Sequence, residues 1–136
     1  MNIAFVSPTN YLFTDIRYNS IKHSSHNIYF FSLLNTKHDY AKKKNYTDLE
    51  NYIEVSSVFD IKPINHILGS IYEIRNLEKK YKIDILHIFG MNNCRFSLFS
   101  NSKKVVIENN GSDVLVIPKV YPFARYIYSF YYKFCD

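Results

Sequence analysis

Glycine is scarce: Gly69, Gly90 and Gly111 are the three in a chain of 136 residues. A loop that cradles a nucleotide phosphate on backbone N–H groups needs several glycines close together. The segment after the first apolar run, "SPTNYLFTD" at 7–15, has none. A dinucleotide-binding dehydrogenase and a P-loop NTPase are therefore set aside. Cysteine is rarer still, and Cys94 and Cys135 stand far apart. The dense, even spacing of a disulfide framework is missing, and a reducing compartment fits. The five histidines show no paired metal-ligand spacing and Cys94 has no nearby thiol, so no bound metal and no cofactor is expected. The first apolar run ends without the clustered acids of a receiver domain. No Ser-His-Asp order and no G-x-S-x-G elbow is present.

Other absences bound the partners. Zinc-finger spacing and the basic-aromatic motif of an RNA-recognition domain are missing, so no nucleic-acid partner is expected. No apolar stretch approaches the roughly 20 residues that span a bilayer. The N-terminus carries no basic region leading into a cleavable leader. The expected location is cytoplasmic, with peripheral contact at the inner face of a membrane as an added possibility.

Tryptophan is absent, yet there are 13 tyrosines and 11 phenylalanines. Tyrosine packs like an apolar ring while keeping a hydroxyl for a polar partner. The net charge of +5 comes from scattered lysines, in short runs at 42–44, 79–82 and 103–104. Such runs either solvate a surface or meet an anionic partner such as phospholipid or a nucleotide phosphate. Hydrophobic residues make up 47% and charged residues 21% of the chain, which suits one globular domain with a proper core.

Strand-length apolar runs alternate with helical patterns. Asn2 to Ser7 ends at Pro8 and reads as a first strand, Asn27 to Leu34 as a second, and Tyr52 to Val58 as a more exposed third. A short helix is expected within Asn10 to Lys22, and a loop from Asn35 to Asn51. The clearest helix starts near Pro63, with Ile64, Ile67, Leu68, Ile71, Ile74, Leu77 and Tyr81 on one face. Gly69 is a blemish there, costing about 1 kcal/mol against alanine. "ILHIFG" after Asp84 makes a fourth strand ending at Gly90, and Val105 to Ile107 a fifth. Between them a short helix is expected from about Asn92 to Phe99. The aromatic tail "PFARYIYSFYYKFCD" reads as a last helix.

This alternation, with inner strands apolar on both faces, predicts an α/β, Rossmann-like parallel sheet with helices on both faces. Ligands of such sheets gather beyond the carboxyl ends of the strands. The strand exits here read "SPTN", "GMNN" and "NNGSD", all rich in short hydrogen-bonding side chains. Amides and hydroxyls in a crevice suit a ligand with many hydroxyls, although the same residues also make ordinary turns.

"MNIAFVSPTN", "DILHIFG" at 84–90 and "KKVVIENNGSDVLVIPK" at 103–119, in this order, resemble the N-terminal half of GT-B glycosyltransferases. The similarity is to the large retaining group known as glycosyltransferase family four, and it runs along the whole chain. By that resemblance His87 matches a strand histidine, and Gly111, Ser112 and Asp113 match a Gly-Ser-Asp loop. Asn110 stands where the family often has His or Trp, and Phe89 where a second His is common. The family's glycine-containing loop after the first strand is missing.

The resemblance implies an acceptor-side domain over 1–136, with the chain ending before a donor-binding domain. It implies sugar transfer from a nucleotide sugar to a glycan or lipid-linked glycan in surface glycan assembly. The isolated chain is expected to be inactive without a donor-binding half, whether a second domain or a partner chain. A non-catalytic, membrane-facing subunit or an inactive fragment is the alternative. Candidate acceptor-binding residues are Thr9, Asn10, His87, Asn110, Gly111, Ser112 and Asp113. Each has a plainer reading: His87 as a hydrogen-bonded core histidine, Asp113 as a helix cap or loop brace, and Gly111 as a backbone requirement.

Overall fold

In a computed structural model the described residues are 1–8, 20–21, 23–33, 51–55, 64–109 and 115–135. They form a five-stranded sheet made of β1 (Asn2–Pro8), β2 (Asn27–Leu33), β3 (Tyr52–Val55), β4 (Ile85–Phe89) and β5 (Lys104–Glu108). The strand order is β3-β2-β1-β4-β5, and each neighbouring pair is parallel. From β1 the chain steps outward through β2 and β3, then returns to lay β4 on the other side of β1. The order reverses there, which makes the β1–β4 boundary the switch point of a doubly wound sheet. The α/β, Rossmann-like expectation holds.

The two sheet faces read directly from the period of two. Ala4, Val6, Phe31, Val55, Leu86, Ile88 and Val105 point to one face and are buried. With Ile74, Ile83 and Phe96 they form the main core. Phe5, Phe30 and Phe89 point to the other face, where Ile3, Ile21 and Ile28 pack on them. Ser20 and Ile21 are helical, so each face meets a helical residue. The helix expected within Asn10 to Lys22 otherwise lies outside the described residues, as does the loop at 35–50.

The helix α1 (Ile64–Tyr81) covers the main core. Ile74 is buried, and Ile71, Leu77 and Tyr81 pack against the core beside it. One expected member of that stripe does not join it, because Leu68 is 56% exposed. Gly69 and Ser70 are buried in its place. The aliphatic stripe from Ile71 onward thus meets the core as expected, and Leu68 is the member left outside. Gly69, read from sequence as a blemish, sits on the contact side.

At the end of α1, Ile83 N–H donates to Glu78 O at 2.9 Å and Lys82 N–H to Lys79 O at 3.3 Å. This pair is a Schellman motif, which wants a left-handed residue at its first position outside the helix. Lys82 supplies it with φ 50. A Cβ in that region is strained where glycine is not. Lys82→Gly should accordingly raise the unfolding free energy by up to about 1 kcal/mol, read as a higher midpoint in urea with an unchanged slope.

The amino ends of β1, β2, β4 and β5 are tied together by side chains. Asn2 N–H donates to Asp84 Oδ2 at 3.0 Å, Asn2 Nδ2 to Tyr81 O at 2.8 Å, and Asn27 Nδ2 to Asn2 Oδ1 at 2.9 Å. Lys103 Nζ lies 2.5 Å from Asp84 Oδ1. That hydrogen bond from Lys103, with the Asn2 N–H behind it, holds the Asp84 carboxyl below its ordinary value of 3.8. The contribution is present above that value and is lost as the pH falls through the lowered folded one.

The segment expected as a short helix from Asn92 is a 3-10 helix, Met91–Phe99. Side chains compete there with α-helical backbone bonding: Asn93 Nδ2 donates to Phe89 O at 2.6 Å and Ser97 Oγ to Cys94 O at 2.7 Å. The tail folds as α2 (Ile117–Val120) and α3 (Pro122–Tyr132), with Pro122 opening the second. Among the described residues no helix is long and apolar enough to cross a membrane.

Candidate functional site

Parallel pairing of Val6 with Ile88 and of Phe89 with Glu108 brings the carboxyl ends of β1, β4 and β5 to one edge of the sheet. Gly90 stands at that edge with φ 80 and ψ 141, a backbone region that only glycine enters readily. Its N–H donates to Glu108 O at 2.8 Å, and its carbonyl accepts from Asn93 N–H at 3.0 Å. The turn out of β4 is thus fastened to β5 on one side and to the 3-10 helix on the other.

His87 lies two residues before the end of β4, on the face opposite the main core. Its ring stacks on Phe89 at 4.8 Å with 11° between the planes, and meets Phe5 at 5.1 Å. Phe5 in turn stacks on Phe30 at 5.3 Å. An aromatic floor therefore crosses β2, β1 and β4, and His87 is its polar end. Nε2 of His87 is 3.2 Å from Oε2 of Glu108, with 19% of one side chain and 26% of the other exposed. A carboxylate at that distance attracts the imidazole electrostatically.

The ring packs among aromatics as a core histidine would, and it keeps some open surface and a charged partner near the carboxyl edge of the sheet. The Glu108 carboxylate, partly exposed, can accept from a hydroxyl at this edge, while Phe5, Phe30 and Phe89 are buried and brace the His87 ring from within the sheet face. Among the described residues no group of three or more His, Cys, Asp or Glu could hold a metal ion.

The other candidates, Thr9, Asn10, Asn110, Gly111, Ser112 and Asp113, lie outside the described residues. Two residues that shape this edge escaped sequence reasoning. Glu108 closes the β5 run and looks there like a mere strand end. Asn93 looks like one of two turn asparagines, yet it is buried and bonded to the β4 terminus. The register would have found Glu108: with β4 and β5 adjacent, its position shares a face with His87.

Among curated proteins no relative matches the chain. Residues 2–136 match the family described as glycosyl transferase 4-like, with the parallel sheet and the His87–Glu108 edge inside the matched span, and the chain belongs to that glycosyltransferase family.

Proposed function

We propose that this domain is the acceptor-binding half of a retaining, GT-B type glycosyltransferase working in surface glycan assembly. The acceptor is a glycan or lipid-linked glycan lying at the carboxyl edge of β1, β4 and β5. The nucleotide-sugar donor is held elsewhere, by a second domain or by a partner chain. The observation that supports this reading is the half-buried His87–Glu108 pair at the carboxyl edge of β4 and β5, beside the β1–β4 switch point where doubly wound sheets take their ligands. His87 and Glu108 orient acceptor hydroxyls, and Gly90 leaves the backbone open beside them. Thr9, Asn10, Asn110, Gly111, Ser112 and Asp113 belong to the same proposal as further acceptor contacts.

The experiment is a transfer assay with labelled nucleotide sugars and lipid-linked glycan acceptors. The chain is tested alone and with the polypeptide encoded beside it. Alone it is expected to transfer nothing; with a donor-binding half, transfer begins. His87→Ala should then lower kcat/KM about tenfold or more, the effect of losing a hydrogen bond to a charged or polar ligand group. Undiminished transfer by both His87→Ala and Glu108→Gln would place the acceptor somewhere else.

A further inference from the structure

The helices α2 and α3 present a surface of unusual make-up. Neither contains a buried residue. One stripe of α3 faces inward: Ala124, Tyr128 and Tyr131 are half-buried, and Cys135, just beyond the helix, packs against the main core. A second stripe faces outward at three- and four-residue spacing through Phe123, Tyr126, Ile127, Phe130 and Phe134. Phe123 and Tyr126 are each 72% exposed. The rings touch one another, Phe130 and Phe134 edge to face at 5.3 Å and Phe123 and Tyr126 at 6.3 Å.

Charge along this segment has one sign. Lys119, Arg125 and Lys133 fall between residues 114 and 135, with no Asp or Glu among them. A cleft of about 290 Å³ opens between the two helices, lined by Leu115, Pro118, Lys119, Arg125, Tyr128 and Ser129 among others. Lys119 and Arg125 stand together at this cleft with the hydroxyl-bearing Tyr128, Ser129 and Tyr132, and such cations suit the oxygens of a phosphate.

We infer that α2 and α3 dock this domain on an anionic phospholipid surface, with the outer aromatic stripe at the headgroup–acyl boundary and Lys119, Arg125 and Lys133 meeting lipid phosphates. Tyrosine and phenylalanine rings suit a boundary that is apolar on one side and wet on the other. Lysine and arginine reach from such a helix to the charged layer along their aliphatic stems. A second copy of the same surface is disfavoured, because a two-fold contact would set these cations against their equivalents. The inference uses no residue of the crevice and stands apart from the acceptor proposal.

The test is co-sedimentation of the whole chain with phosphatidylcholine vesicles, with and without phosphatidylglycerol. Binding is expected to the mixed vesicles, to weaken with added salt, and to be lost in a Phe123→Ser/Tyr126→Ser variant. Arg125→Glu/Lys133→Glu should weaken it about tenfold or more, since each basic residue at an anionic surface contributes roughly fivefold. All four side chains are exposed, and circular dichroism checks that each variant folds. Should the serine variant fail to fold, the charge variant and the salt series decide. Equal binding to neutral vesicles, no binding, or an aromatic stripe closed in a dimer by sedimentation equilibrium overturns the inference.

Discussion

Glu78→Ala is expected to lower the unfolding free energy by about 3 kcal/mol, more than any surface change in this fold. Glu78 lies on α1 and is only 2% exposed. Its Oε1 accepts from Ser100 Oγ at 2.5 Å and from Ser102 Oγ at 2.8 Å, and its Oε2 accepts from Asn101 N–H at 3.1 Å. One carboxylate thus organises the whole link between the 3-10 helix and β5. Its carbonyl also accepts the Ile83 N–H that closes α1, although a side-chain change leaves that bond in place. Removing the carboxylate strands three donors in a part-buried turn. Glu78→Gln keeps the shape and should cost about 1 kcal/mol, because hydrogen bonds to a neutral acceptor are roughly half as strong. Urea unfolding measures both, and the alanine variant should melt about 10 °C lower. If alanine and glutamine cost the same few tenths, the carboxylate does not hold the turn.

Gly90→Ala carries the second large effect, about 2–3 kcal/mol. At φ 80 and ψ 141 a Cβ collides with its own backbone, so the residue must leave this conformation. Leaving it breaks the Gly90 N–H bond to Glu108 O and the Asn93 N–H bond to Gly90 O. Both bonds shape the edge where His87 meets Glu108. The variant should therefore lose stability and acceptor binding together. Gly69→Ala lies in α1, which covers the sheet face opposite His87; it probes packing and is expected to spare binding. A Gly90→Ala protein as stable as the parent would show that the turn tolerates another conformation.

The inner strands were legible because burial on both faces leaves an unbroken apolar run, and β5 because Val105 to Ile107 are β-branched. "NIAFVS", "ILHIF" and "KVVIE" all form strands within a residue or so of their expected ends. The third strand spans Tyr52–Val55, and 56–58 of its expected span lie outside the described residues. The helix α1 was legible from its aliphatic period, but the exposure of Leu68 was not. Leu68 fits the period yet faces water, while Gly69 and Ser70 beside it are buried. Glu78 was hidden as well: a glutamate on a helix reads as solvated until its partners are known, and Ser100 and Ser102 are more than 20 residues away in sequence. The 3-10 geometry of Met91–Phe99 depends on side-chain bonds to the backbone, which no apolar pattern records.

For the candidate site, the sheet edge was legible and its chemistry was only half so. His87 is the one predicted contact among the described residues. Its partner Glu108 emerges from pairing between β4 and β5, a fact of tertiary register. The aromatic tail was legible as a helix, whereas its two distinct faces follow from which rings meet the 3-10 helix and which remain outside.

Acceptor recognition at the His87–Glu108 edge is the central claim, and titrating the labelled chain with acceptor glycans while observing the His87 ring and the Gly90 amide by NMR tests it most directly. Saturable shifts at both positions, abolished by Glu108→Gln at the same glycan concentrations, are the predicted result. Glycan binding that perturbs other residues and leaves His87 and Gly90 unmoved would contradict it.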